Sequence, residues 1–276
     1  MKKPLSASLL ATEIKKITPV ITVNNEKGGV GKTTISFHLV ELCLKLGLTV
    51  GAIDNDPQAN FTKVLIGHEA LSEEYLTDNN MLTSADLYKE QLPSNFGLYQ
   101  PREGLTILAG TSLLDDVDQL SLDAAGNPSQ HIENTLSSMV DVIIIDTPPT
   151  KGNRQIASQI AASHLVMPME VDAFSIDGLI STIERLNYLF SELEMEAPKM
   201  FLIPNRCNTR SKTYHTNIAG VRESGIFTTD SVIQRQPIAD AVSDGLPVWR
   251  IRNGNAQTAA KNITSALMQI LNEVAA

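Results

Sequence analysis

Two lysines bracket a run of glycines in Lys27-Gly28-Gly29-Val30-Gly31-Lys32-Thr33-Thr34, a combination that can hold a polyphosphate. Without Cβ atoms, glycines let backbone N–H groups turn inward onto an anion, and a helix N-terminus behind them adds partial positive charge. A lysine then reaches the β/γ-phosphate oxygens, and the hydroxyl after it can bind Mg²⁺. Lys32 and Thr33 have the spacing for those two tasks. The usual G-x-x-x-x-G-K-[ST] pattern puts its first glycine at position 26, where this chain has Glu26, so Lys27 stands beside the loop as a surplus cation. Downstream, Asp54-Asn55-Asp56-Pro57-Gln58-Ala59-Asn60 offers two carboxylates and Val142-Ile143-Ile144-Ile145-Asp146 a third. Asp54 and Asp56, two residues apart on a strand, would share one face, although curvature into Pro57 leaves that geometry open. Asp146 suits a Mg²⁺ site, acting through a water because Mg²⁺ keeps several of its own.

The elements that must position these groups follow from apolar patterning. Val20 to Val23 reads as a buried strand, and Ile35 to Leu46 as a helix with apolar Ile35, Leu39, Leu42 and Leu46. The glycines therefore lie between strand and helix. Leu48 to Ile53, Leu105 to Leu108, Val142 to Ile145, His164 to Met169 and Met200 to Ile203 read as further strands. Helices are expected over Gln130 to Met139, Ile176 to Leu193 and Asn255 to Val274, and residues 61 to 104 as polar, irregular insertions beside the site. Such alternation predicts an α/β fold, a doubly wound and mostly parallel sheet flanked by helices, with its ligand at the carboxyl ends of the strands. Residues 18 to 276 form one domain in this reading. Residues 1 to 17 precede it as an extension in which Leu5, Leu9, Leu10, Ile14 and Ile17 suggest a short amphipathic helix that caps a dimer or docks on the core.

Base selection has its own segment, Pro204-Asn205-Arg206-Cys207-Asn208, after a strand. Guanine favours a carboxylate that accepts from two ring donors, as in N-K-x-D; Arg206 and Asn208 stand in place of that Lys and Asp, which favours adenine.

The first loop resembles the deviant Walker A loop, K-G-G-x-G-K-[ST], of the ParA/MinD superfamily, and Asp54 to Asn60 resembles the D-x-D-P-Q-x-N segment of ParA proteins. The resemblance implies an ATPase that binds ATP and Mg²⁺ and forms a sandwich homodimer, with residues 27 to 34 on the nucleotide. Lys27 would cross to the partner's nucleotide, Lys32 would hold its own, Asp56 would position the attacking water, Thr33 and Asp146 would serve the metal, and Asn205 would meet adenine. It also implies non-specific duplex DNA binding, through Arg210 and Arg235 first and Lys212, Arg250 and Arg252 as further candidates. A ParB-like adaptor would stimulate slow hydrolysis, and the task would be plasmid or chromosome partitioning. A positioning ATPase for a protein cargo, a division-site regulator and a deviant-loop biosynthetic enzyme are the alternatives. The MinD branch attaches to membranes through a basic amphipathic C-terminal helix, whereas the last ten residues here contain no Lys or Arg.

The resemblance implies a nucleoid-associated protein that does not engage membranes, and the composition fits a reducing cytoplasm. The 276 residues are 42% hydrophobic, enough for a large core, and no apolar run approaches the roughly 20 residues of a membrane span. Glu13, Lys15 and Lys16 interrupt any secretory signal after Lys2 and Lys3. Cys43 and Cys207 make neither a disulfide framework nor a metal site, and His38, His68, His131, His164 and His215 lack metal-ligand spacing and read as structural or surface residues. Net charge is −9, yet residues 201 to 276 hold eight Lys/Arg against five acids while the remainder holds 14 against 26. A basic face in the last third is therefore expected. Tyr214 and Trp249 are its main aromatics, too few for stacking on single strands.

Overall fold

A computed structural model describes residues 4–67, 71–172 and 175–276; His68, Lys2 and Lys3 lie outside the described residues. In chain order the elements are α1 (Ala7–Ile17), β1 (Val20–Val23), α2 (Lys32–Lys45), β2 (Val50–Asp54), α3 (Asn60–Leu65), α4 (Glu73–Asp78), β3 (Tyr99–Arg102), β4 (Leu105–Leu108), α5 (Asn127–Asn134), β5 (Val142–Asp146) and α6 (Asn153–Ile160). They continue with β6 (His164–Met169), α7 (Ser175–Glu192), β7 (Lys199–Pro204), α8 (Lys212–Glu223), β8 (Phe227–Thr228), α9 (Gln236–Ser243) and α10 (Gly254–Val274).

The strands form one sheet in the order β3-β4-β2-β5-β1-β6-β7-β8, parallel throughout except for β3, which runs antiparallel at one edge. β1, β2, β4, β5 and β6 are buried along their whole length, as continuous apolar runs covered on both faces must be. Register aligns the functional ends: Val23 lies opposite Asp146 across β1 and β5, and Asp54 lies opposite the same Asp146 across β2 and β5. The glycine loop, Asp54 and Asp146 thus emerge at one edge of the sheet, at the carboxyl ends of its central strands.

One large core joins the sheet to helices from both ends of the chain. It includes Leu10 and Ile14 of α1, Ile35, Phe37 and Leu39 of α2, and Ile263, Leu267 and Ile270 of α10. Ser6 caps α1 by accepting from Leu9 N, and the Leu5 N–H donates to Asn272 Oδ1 of α10 at 2.8 Å. The first helix packs on the core. Only part of its apolar stripe is used, since Leu9 and Ile17 face solvent.

Two expectations need correction. Residues 61 to 104 are not irregular: they contain most of α3, all of α4, a 3-10 turn at Ser84–Tyr88 and β3, and they bury Leu76, Leu82, Leu87 and Tyr88. Elements of four to six residues are too short to show a period, and their boundaries come from caps such as Ser72, which accepts from Tyr75 N, and the reciprocal Thr83–Asp86 capping box. The helix expected over Gln130 to Met139 begins earlier, with Pro128 in its first turn, and ends at Asn134. Thr135, at φ −127° and ψ −62°, breaks it before a 3-10 turn at Leu136–Ser138.

Candidate functional site

The loop between β1 and α2 is held from both sides. Asn25 Nδ2 donates to Pro168 O of β6 at 2.8 Å, Asn25 Oδ1 accepts from Lys27 N, and Asn205 Nδ2 donates to Val30 O at 2.7 Å. Gly31 caps α2 at φ +93°, a left-handed conformation, and a Cβ there would run into Asn205 Nδ2. Backbone and space together require glycine at that position. Lys32 is buried, with Nζ donating to Asn25 O (2.8 Å) and Lys27 O (3.3 Å). Burial holds its pKa below the ordinary lysine value, against the opposing pull of Asp146 and Asp56.

On α2, Thr33 Oγ1 donates to Asp146 Oδ2 and Ser36 Oγ to Asp146 Oδ1, each at 2.7 Å. Asp146 is pushed up to about 6 by burial, with the Ser36 and Thr33 hydrogen bonds opposing. Its neighbour Asp54 is pushed up to about 7, by burial first and by Asp146 second, although Thr62 N, Thr62 Oγ1 and Asp56 N all donate to it. Among the described residues no cluster of His, Cys, Asp or Glu forms a protein-only metal cage. The donors beside the loop are hard oxygens on one hydroxyl and one carboxylate, the set that suits Mg²⁺ shared with phosphates.

The open question about the two aspartates is answered by the end of β2. Asp54 is its last residue and fully buried, whereas Asp56 lies in the turn beyond, partly exposed, with Oδ1 accepting from Gln58 N at 2.9 Å. They do not share a strand face. Gly110 packs against this turn, where a Cβ would press on Asp56 O and the Asp54 carboxyl carbon.

Residues 18–196 match the model of a family described as an AAA domain, which is more than half of the chain. The chain is a ParA-type member of that family. Among its relatives are IncC of Escherichia coli, 27% identical over 243 residues that cover 86% of this chain, and the chromosome-partitioning ATPase Soj of Thermus thermophilus, 27% identical over 169 residues that cover 60% of this chain and 61% of Soj. The chain spans 64% of the length of that IncC. Apo McdA of Cyanothece has the same fold, at a TM-score of 0.75 and 23% identity, covering 90% of this chain and 99% of McdA.

In this ParA-type chain the two lysines are placed differently. Lys27 is half-exposed and turned away from its own loop, with Nζ 2.7 Å from Asp172 Oδ2 and 3.3 Å from Glu170 Oε2, beyond the end of β6. The Asp172 hydrogen bond, opposed by burial and helped by Glu170, holds its ammonium above the ordinary lysine value. The other oxygen of Glu170 lies 3.4 Å from Arg206 Nη1, which also donates to Gly29 O. Glu26, at the position of the missing glycine, pairs with Arg185 of α7 and with Lys151.

Two cavities flank the loop. The smaller, about 250 Å³, lies between Gly29, Gly31 and Thr34 on one side and residues 233–239 on the other; Asn205, Arg206 and Arg235 line it, and no carboxylate does. The larger, about 610 Å³, sits beyond Lys27 against Met167, Met169, Leu179 and Leu202, with Glu26, Glu170 and Asp172 at its rim. The larger cavity mixes Lys27 and Lys151 with three carboxylates, whereas the smaller offers Arg206 and Arg235 with none and suits an anion better.

Arg235, grouped by sequence with the DNA candidates, therefore walls the cavity beside the loop, with Nε buried and unpartnered. Arg210, Lys212, Arg250 and Arg252 are exposed. Sequence reasoning overlooked Ser36 and Thr62, whose hydroxyls serve Asp146 and Asp54, and the bridging position of Arg206. A serine one helical turn after Lys32 was the available signal for Ser36; nothing local pointed to the others.

Proposed function

We propose that the chain is an ATP- and Mg²⁺-dependent ATPase of DNA partitioning. The carrying observation is the division of labour between the lysines: Lys32 fills the loop, while Lys27 stands outside it with only surface carboxylates for partners. A cation so placed can serve a nucleotide held by a second copy once it leaves those carboxylates. Residues 27 to 34 would cradle the phosphates, Thr33 and Asp146 would hold Mg²⁺, and Asn205 would face adenine in the smaller cavity. The metal's contribution is to neutralise charge on the β- and γ-phosphate oxygens. Asp56 would orient the attacking water, and a ParB-like adaptor would speed a slow hydrolysis that ends the dimer.

Support for DNA as the partner comes from unpaired charge. Every ion pair among the described residues has its cation at or before Arg206. Arg210, Lys212, Arg222, Arg250, Arg252 and Lys261 are exposed without an acidic partner, and a polyanion would neutralise them. Arg235 is assigned to the nucleotide side. Membrane attachment is not part of this reading: Leu267, Ile270, Leu271 and Val274 of α10 are buried in the core, and among the described residues no helix is long and apolar enough to cross a bilayer.

A random-duplex mobility shift with ATP or ADP tests the proposal. The parent chain should shift DNA with ATP only, Lys32→Ala should bind neither nucleotide nor DNA, and Asp56→Ala should keep the ATP-dependent shift while releasing no phosphate. Nucleotide-dependent dimers without any DNA shift would replace DNA with a protein cargo. Turnover that depends on a small-molecule acceptor would overturn the proposal in favour of a biosynthetic enzyme.

A further inference from the structure

Between β4 and α5 the chain makes two 3-10 turns, Ser112–Gln119 and Leu122–Gly126. Their inner residues Leu114, Val117 and Ala125 pack with Ala85, Tyr88 and Ala157 in a small core separate from the main one. Their outer residues are unusual. Leu113, Leu120 and Leu122 are 57%, 45% and 57% exposed, and Asp115, Asp116 and Asp123 are exposed between and beside them without ion pairs. No Lys or Arg occurs from residue 103 to residue 150. Single exposed leucines are ordinary; three within this short stretch, interspersed with uncompensated carboxylates, describe a surface that something covers.

The inner side of the same segment grips the chain that leaves Asp146. Asn153 Nδ2, at the start of α6, donates to Val117 O (3.2 Å) and Leu120 O (2.8 Å). Asp118 accepts from Arg154 N (3.2 Å), Nε (3.1 Å) and Nη2 (2.7 Å). Asn153 and Arg154 are both buried, and Arg154 Nη1 has no acceptor, so the guanidinium keeps a donor in reserve. Gly152 lies flat against this pair, where a Cβ would come within 2.5 Å of the Asp118 carboxylate. The leucine-bearing turns are thereby tied to the start of α6.

We infer that the outer face of residues 113–123 docks a basic amphipathic segment of a partner protein, and that docking reaches the hydrolysis site through Asp118, Arg154 and Asn153. Charge complementarity selects this occupant. The carboxylates repel DNA and anionic lipid, whereas a segment with leucine-like residues on one face and Lys/Arg flanking them matches both features of the surface. The inference rests on the reading of the chain as an ATPase with a stimulating partner.

The probe is a fluorescein-labelled helical peptide of about 18 residues with Leu on one face and Lys elsewhere, alongside a counterpart with Glu for Lys. Fluorescence anisotropy, which needs no turnover, should show the Lys peptide binding at least about tenfold more tightly than the Glu peptide. Leu113→Ser/Leu120→Ser/Leu122→Ser, which keeps every charge, should weaken it at least about tenfold, whereas Leu9→Ser/Ile17→Ser on α1 should leave it unchanged. Asp118→Asn should bind the peptide within about twofold of the parent yet lose the peptide's effect on phosphate release. Equal binding to the triple-serine variant, or an undiminished effect in Asp118→Asn, would overturn the inference. So would loss of self-association in the triple-serine variant, which would make a second copy the occupant. Leucine-dependent binding by a chain that never hydrolyses ATP would instead refute the ATPase reading and leave the surface standing.

Discussion

Lys27 cannot serve a second subunit while it holds Asp172 and Glu170, so weakening that hold should strengthen the nucleotide-bound dimer. Asp172→Asn is the perturbation of choice, because it removes the charge at the shorter of the two contacts. The Lys27–Asp172 contact is short, 2.7 Å, but its side chains are 54% and 41% exposed, so solvent screens it. Pairs of that kind contribute about 0.2–1 kcal/mol. Two lysines are released per dimer, which makes about 0.4–2 kcal/mol, or a fall of about 2- to 30-fold in the dimer dissociation constant. Sedimentation velocity with ATP, in an Asp56→Ala background that keeps the nucleotide intact, measures it directly. The difference should be largest at low salt and vanish near 1 M, where the screening length is about 3 Å. An unchanged or weaker dimer in Asp172→Asn, or a difference that survives high salt, would refute the view that these carboxylates restrain Lys27. A dimer indifferent to Lys27→Ala would remove its premise.

Other consequences follow from burial and backbone. Asp54 and Asp146 titrate near 7 and 6, above the ordinary carboxylate range, so the folded chain binds their protons more tightly than the unfolded one does. Their contribution is most favourable below about pH 4 and is lost as pH rises to about 7; the thermal midpoint of the nucleotide-free chain should fall from pH 5 to 8 more steeply than that of Asp54→Asn. Parallel slopes would contradict the assignment. Ile14→Ala, at a fully buried site on α1, should cost about 2–5 kcal/mol in urea unfolding, whereas Ile17→Ala, 51% exposed, should stay within about 0.5 kcal/mol. Equal costs would detach α1 from the core. Gly31→Ala meets both a left-handed backbone and the Asn205 amide, and a fluorescent ATP analogue should bind it at least about tenfold more weakly; undiminished affinity would mean the loop rearranges freely.

What could be read ahead of the structure was what carries a local signal. The central strands announce themselves because burial on both faces demands unbroken apolar runs such as Val142 to Ile145, and the phosphate loop announces itself by glycine spacing. The edge strands β3 and β8 gave no such signal, being short and only partly buried. Partnerships across the sheet were also hidden. Ser36 meets Asp146 only because parallel register brings β5 beside β1, 110 residues further along the chain. Arg235 looked like any other cation of a basic region until the chain before α9 folded back, through Cys207 N donating to Val232 O, to close a cavity against the glycine loop. His38 gave no hint of its position either: Nδ1 donates to Thr34 O, Nε2 accepts from Val248 N, and burial pushes its pKa down to about 4.

The contact of α1 with α10 sets an order of events during synthesis. Leu10 and Ile14 find part of their cover on a helix that begins at Gly254, and Leu5 finds its acceptor at Asn272. At about 5–20 residues per second, the ribosome needs on the order of 10–50 s to make the intervening chain. Throughout that interval α1 shows an apolar stripe that lacks its final partner, which makes it a natural handle for chaperones and a point of misassembly between nascent chains. A transcript cut short before α10 would leave that stripe permanently bare.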